Sequence, residues 1–445
     1  MFVVQRSLLR TVRPFAFRSN ATLSTGSELK SAATHPPHPT STAAAGSATT
    51  QDGATGMGGG RINVKSAPRR RTISNQNPRP WNPPLASGVI PAYDLALEVL
   101  RKDSLALKEE IAELKKAIES EEKRYQELVK VEGKNEHGEA YALDLELEKK
   151  RQKLHILQVQ SEVNLPDVRW KVANAMVDMN IPSHRHLVEQ KWRKDGDLDL
   201  LMERIYQMKV VPDVLPVIRP SLDLHLATQA PSRLTPTFKT VKLVEPGVFL
   251  APRLTVEPPR LYANVFHTDT RLYTLMLVDP DVPDESTASY TTYLHWLQPN
   301  VPLTATHTSQ ILDLNNHTKY IPPHPQRGTP YHRYTVLLLP QPPLEGGEYT
   351  KNVEARANPG VPTSKKLDIP VVSDAERLGF NVRQFCQTWG LDASTGGGLH
   401  MFREVWDEEV SKIYKDVLGQ EEPRYGRIPK PDPYAELKHR KKYVS

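Results

Sequence analysis

The chain has 445 residues, a formal net charge of +6 and a single cysteine, Cys386. That length allows more than one folded unit, and one cysteine excludes both an internal disulfide and a cysteine-rich zinc site. No apolar run approaches the roughly 18 residues a membrane-spanning helix needs. The charge is uneven: residues 1–90 hold eleven basic against two acidic side chains, residues 423–445 seven against two, and the middle nets −8. An acidic body with two basic ends suits a protein that docks by its ends on a polyanion.

Residues 1–25 contain Arg6, Arg10, Arg13 and Arg18 and no acid, with Phe, Val, Leu, Ser and Thr between them. That composition predicts a mitochondrial presequence, because a secretory signal needs an apolar core without arginines. Residues 26–90 are Ser, Thr, Ala, Gly and Pro, too poor in large apolar residues to offset chain entropy by burial. Glycines between Gly53 and Gly60 lack the Lys-Ser/Thr ending of a phosphate loop, so no nucleotide is expected. Arg69, Arg70, Arg71 and Arg79, with Trp81 beside them, form a candidate RNA-contacting arm: guanidinium forks fit phosphates and an indole can stack on a base. The alternative is a solvated linker.

Residues 91–226 read as a helical extension. Over residues 92–131 a heptad seam runs through Leu97, Leu100, Ser104, Leu107, Ile111, Leu114, Ile118, Glu121, Tyr125 and Leu128, with Glu and Lys dense elsewhere. A break at Gly133 to Gly138 is followed by residues 140–160, whose Leu143, Leu147, Leu154 and Leu157 supply a face that could return along the first helix. Shorter helices are expected over 168–179, 184–192 and 198–208, then a proline-broken extended stretch to Pro216. His184 and His186, with His225, have no acid or cysteine at ligand spacing. They read as solvated helix-end histidines, and no metal is expected.

Residues 227–420 form the second unit. Leu275-Met276-Leu277-Val278 reads as a buried strand and breaks into Asp279-Pro280-Asp281-Val282-Pro283. Asp caps backbone N–H groups and Pro fixes φ, so these carboxylates are expected on a stiff turn at the strand end. Tyr293-Leu294-His295-Trp296-Leu297 and His332-Arg333-Tyr334, leading into the apolar run Thr335 to Leu339, complete a pattern that resembles the phosphatidylethanolamine-binding protein family. The resemblance covers roughly residues 240–410 and implies an antiparallel β-sandwich with one small anion-accepting pocket. That pocket would consist of Asp279, Asp281, Pro283, His295, His332 and Tyr334. Asp284 stands where the family has a small serine, Thr291 and Thr292 where Arg-Glu is usual, and Pro330 where a glycine is usual. A gained carboxylate and a lost arginine weaken an anion site on Coulomb grounds. Residues 377–385 look like the family's closing helix, and residues 401–414 read as a further helix.

Residues 421–445 end in Lys438, Arg440, Lys441 and Lys442, with tyrosines interleaved, the composition of an RNA-binding tail. Two carboxylates and two histidines in one cleft could do acid–base chemistry, but no G-x-S-x-G elbow or exposed cysteine supplies a nucleophile. A binding protein without cofactor is therefore expected rather than an enzyme. The fold class expected is α+β, an extended arm and long helices followed by the β-sandwich. The presequence, the basic ends and the helical extension together resemble a fungal mitochondrial large-subunit ribosomal protein that carries such a domain. That resemblance implies a structural role at the central protuberance, in the mitochondrial matrix, with large-subunit rRNA and neighbouring ribosomal proteins as partners. The alternative is a mitochondrial binder of a phospholipid head group or small anion that regulates a partner protein.

Overall fold

The computed structural model describes residues 77–132, 138–231, 239–306, 309–344, 349 and 360–426. The expected presequence lies outside the described residues. So do Arg69, Arg70 and Arg71 of the arm, and Lys438, Arg440, Lys441 and Lys442 of the tail.

Two long helices, α1 (Pro91–Glu132) and α2 (Glu139–Val163), form an antiparallel hairpin. Ile111 and Ile118 of α1 and Leu147 and Leu157 of α2 are buried along it. Ion pairs line its flanks: Arg151 with Glu122 at 2.7 Å, Lys153 with Glu110 at 2.7 Å and Lys108 with Glu162 at 3.2 Å. Glu121, a polar residue on the apolar seam, is answered by Lys150 of α2. Such partly exposed pairs contribute about 0–1 kcal/mol each, so the apolar seam carries the stability and the charges fix the register.

Helices α3 (Pro166–Ala173), α4 (Pro182–Lys194) and α5 (Asp197–Gln207) and the single turn α6 (Val210–Asp213) lead from the hairpin to the sheets. Prolines open α3 and α4, where a missing N–H costs nothing. His184 is not solvated: it is buried in α4, where its Nδ1 accepts the Asp178 backbone N–H at 3.0 Å. Beside it Ser183 Oγ donates to Glu162 of α2 at 2.9 Å, which holds this end of the helix against the hairpin, and at the other end Trp192 packs on Phe266 at 5.7 Å.

Among the described residues nine strands follow: β1 (Asp223–Pro231), β2 (Lys239–Val244), β3 (Val248–Phe249), β4 (Arg260–Asn264), β5 (Arg271–Asp284), β6 (Ser289–Leu303), β7 (Gln310–Ile311), β8 (His332–Pro340) and β9 (Gly398–Glu404). They form a four-stranded sheet in the order β2-β1-β4-β7 and a five-stranded sheet in the order β3-β9-β8-β5-β6. All pairings are antiparallel except β3 with β9. Between the sheets lies one core, with Leu226 and Leu261 opposed to Leu275, Leu277, Val336 and Phe402. On the outer face of the five-stranded sheet, Met276, Val278, Leu337 and Met401 pack against Leu201 and Ile205 of α5 and against α7 (Val382–Trp389). The fold is α+β. Strands covered on both faces read as unbroken apolar runs, which is why β5 and β8 lack alternation.

Two expectations need correction. Asp279-Pro280-Asp281-Val282-Pro283 is not a turn at a strand end, because β5 runs through it to Asp284, with a bulge between Asp279 and Val282. Residues 401–414 are not one helix: β9 occupies them to Glu404, and α8 (Glu408–Ile413) begins only after Asp407, whose side chain caps the Glu409 N–H at 3.0 Å.

Candidate functional site

The ends of β5, β6, β8 and β9 converge at one end of the five-stranded sheet, and the polar residues of the two motifs meet there. In β8, Tyr334 shares the sandwich-facing side with Val336 and Leu338, and His332 continues that row. On β6, Leu277 pairs with Trp296 while Val278 pairs with Leu294, so His295 is an extra residue in a bulge. A bulge re-aims a side chain, and His295 lies 5.2 Å from the Tyr334 ring. Asp279, His295, His332 and Tyr334 are thus brought together, at 2%, 1%, 1% and 0% exposure.

Asp281 is not with them. Residues two apart on a regular strand share a face, but the bulge after Asp279 turns Asp281 to the helix side. There it accepts the Arg333 backbone N–H at 2.9 Å, Arg333 Nε–H at 2.8 Å and a terminal nitrogen of the same guanidinium at 2.6 Å. Arg333 also donates to Asp213 of α6 at 2.9 Å and to the Met208 carbonyl at 2.5 Å. These carboxylates push the Arg333 pKa further up against the cost of its burial. Asp281, which the family pattern places in the pocket, here ties the sheet to the helical extension through Arg333. Pro283 lies elsewhere again, on the wall of a 930 Å³ cavity. Asp284, expected to bring a carboxylate into the anion site, is exposed and instead caps the β5–β6 turn, accepting from Ser286 N–H at 3.0 Å and from Thr287 Oγ1 at 2.7 Å.

Protonation states follow from donors and acceptors. His332 Nδ1–H donates to Asp279 Oδ2 at 2.7 Å, and its Nε2 meets Thr329 Oγ1 at 2.9 Å. The sequence Asp–His–Thr looks like a nucleophile train, but the Thr329 hydroxyl spends its proton on the Gln326 carbonyl at 2.8 Å. A hydroxyl so committed accepts from His332 Nε2–H, an arrangement that favours the imidazolium over the free base. Burial opposes that charge, but Asp279 outweighs it and the net shift is upward. Glu404 pairs with His332 in register. Thr255 Oγ1 donates to Glu404 Oε1 at 2.6 Å and lies 3.0 Å from the Pro252 carbonyl. Burial raises the Glu404 pKa well above normal, against the bond from Thr255.

His295 Nδ1–H donates to the Ile321 carbonyl at 2.9 Å, and His324 Nδ1–H to that of Pro322 at 2.8 Å. Burial first, and each other's neighbourhood second, holds His295 well below its usual range, and burial lowers His324. Within the cluster His332 and Asp279 are paired, and burial works against charge on His295, His324 and Tyr334. The Tyr334 hydroxyl is buried beside Asp279 without full hydrogen-bond geometry, and burial raises its pKa far above normal.

A wall separates the cluster from the cavity on the side of the C-terminal segment. The 930 Å³ cavity is lined by His324, Tyr293, Lys319 and Gln326 and by Tyr414 to Tyr425 of the C-terminal segment, but by none of the four clustered residues. Tyr293 and His324 pack tilted against His295 at 4.9 and 5.0 Å, and Tyr414 packs edge-on to His324 at 5.4 Å. The segment is pinned where Tyr425 N–H donates to the Arg327 carbonyl at 2.8 Å. Gly328, at φ +93, leaves no room for a β-carbon there, which would lie 1.7 Å from the Tyr425 oxygen. His324 and Tyr414 therefore stand between that cavity and His295.

Sequence reasoning missed His324, Thr329, Glu404 and Tyr414. His324 sits in Pro-Pro-His-Pro, where prolines on both sides were the only signal, and Glu404 was hidden by the mistaken helix. The profile of the phosphatidylethanolamine-binding protein family matches residues 242–384. Those residues hold β5, β6, β8 and the clustered site. Schizosaccharomyces pombe large ribosomal subunit protein mL38 is 28% identical over 278 residues, which is 61% of this chain and 79% of that protein. Arabidopsis thaliana protein BROTHER of FT and TFL 1 is 31% identical over 136 residues, 30% of this chain and 66% of that one. Among solved structures, the phosphatidylethanolamine-binding protein of Plasmodium falciparum superposes on 46% of this chain and 96% of its own, with 18% identity and a TM-score of 0.28.

Proposed function

We propose that this chain is a non-catalytic structural component of the mitochondrial large ribosomal subunit, working in the matrix at the central protuberance. The observation that carries the proposal is the reach of the similarity. It spans 278 residues with mL38, well beyond the domain at 242–384, so it takes in chain that the sandwich alone does not account for. The occluded cluster agrees. Its carboxylate is already paired with His332, and its wall includes the protein's own C-terminal segment, so it serves the fold rather than a ligand. Arg69, Arg70, Arg71 and Arg79, with Lys438, Arg440, Lys441 and Lys442, contact rRNA phosphates, while the helical hairpin and the sandwich contact neighbouring proteins.

The test is incorporation at graded salt. Deleting residues 427–445, or replacing Arg69, Arg70 and Arg71 with Ala, is expected to lower recovery on large subunits. Each lost phosphate contact reduces the salt slope by about 0.7 to 0.9. An unchanged slope in both variants sinks the rRNA part of the proposal.

A further inference from the structure

Outside the clustered site, the edge of the five-stranded sheet carries an arginine set between aromatic rings. Arg403 of β9 lies over the Phe249 ring of β3, its guanidinium carbon 4.0 Å from the centroid, and 5.2 Å from that of Tyr331. The two rings meet edge to face at 5.7 Å. Arg403 Nε–H donates to the Gly247 carbonyl at 2.8 Å, which fixes the plane of the fork. Its neighbour in register, Arg333, is saturated by Asp281 and Asp213, yet no carboxylate among the described residues pairs with Arg403. Around it Val248, Phe249, Tyr331 and Val405 are 40%, 50%, 44% and 44% exposed.

From this juxtaposition we propose that Val248, Phe249, Tyr331, Arg403 and Val405 form a docking surface for a protein segment that presents a carboxylate between apolar side chains. The inference rests on the reading of the chain as a subunit component and names the chemistry of one neighbour. A guanidinium held flat by two rings and one backbone acceptor has lost its rotational freedom before any partner arrives, so a carboxylate can bind it through two parallel hydrogen bonds. Aromatic residues and arginine at the centre of a patch are the residue types that anchor protein interfaces. Two valines at its rim add aliphatic area that a phosphate or ribose does not use. The residues 91–422 that surround it net −8, which repels a polyanion.

The test places a benzophenone amino acid at Val405 of the full chain, assembled into large subunits, followed by irradiation and mass spectrometry. The expected product is a nuclease-resistant protein adduct whose linked peptide holds an Asp or Glu flanked by apolar residues. Arg403→Glu is expected to lower its yield by about tenfold or more, since a buried charge pair is being opposed. Arg403→Lys, which keeps the charge and the fold but not the fork, lowers it severalfold. A nuclease-sensitive RNA adduct, a linked peptide without acid, or a yield indifferent to both variants overturns the proposal while the chain still sediments with the subunit. Failure to sediment with the subunit at all removes the underlying reading as well.

Discussion

Replacing Asp281 with Ala separates a pocket residue from a structural one. The substitution removes three hydrogen bonds from Arg333, at 2.9, 2.8 and 2.6 Å, two of them charge-assisted. Removing one partner of a buried ion pair costs about 3–5 kcal/mol. Arg333 keeps Asp213 and the Met208 carbonyl, and its side chain is not wholly buried. The lower end, about 3 kcal/mol, is therefore expected. In a double-mutant cycle with Arg333→Ala, measured by chemical denaturation of the full chain, the coupling should be about 2 kcal/mol. Hydrogen exchange should rise locally in α5 and α6, because Arg333 is what holds Asp213 against the sheet. A coupling below about 0.5 kcal/mol, within the range of independent sites, refutes the reasoning.

Acid should destabilise the protein through His400, whose pKa burial lowers to about 4, and through His295 and His324, lowered by the same cause. These groups take up protons on unfolding, so stability falls as pH drops from about 6.5 towards 4, by about 1.4 kcal/mol per pH unit for each. His332 has the opposite sign: its contribution is complete below the unfolded value and is lost as pH rises through its raised folded value. Thermal melts between pH 7.5 and 5 should show the acid loss, and His400→Gln should make it shallower; an unchanged slope contradicts the assignment. Gly328→Ala should detach the C-terminal segment, adding about 1–2 kcal/mol of left-handed backbone strain to the clash with Tyr425, and limited proteolysis near Glu421 to Tyr425 should accelerate. Leu147→Ala, at a fully buried site in α2, should cost about 2–5 kcal/mol in denaturant melts.

The sequence showed the sandwich and its motifs because Asp279-Pro280-Asp281, His295 and His332-Arg333-Tyr334 are local patterns. It did not show which of them share a face. Asp281 leaves the cluster, and His295 joins it, through bulges whose positions are set by the partner strand rather than by the residues themselves. The helix assigned to residues 401–414 failed for a related reason. Strand β9 is covered on both faces, so Leu399 and Met401 pack on the helices while His400 and Glu404 point between the sheets. Buried polar residues erase the alternation that marks a strand. The exposed Asp284 misled for want of its turn: its acceptors are used within three residues, on Ser286 and Thr287. The seam of α1 was legible because a long amphipathic helix repeats one signal many times, and Glu121 within it is explained by Lys150 across the hairpin.

The most direct test is sedimentation of a detergent-solubilised mitochondrial extract through a sucrose gradient at moderate salt, with the chain followed by antibody. A structural component comigrates with the large subunit and leaves it only when the subunit itself is taken apart. Recovery near the top of the gradient, as free protein of the size of its own chain, contradicts the account and returns attention to the cavity behind Tyr414 as the site of a small ligand.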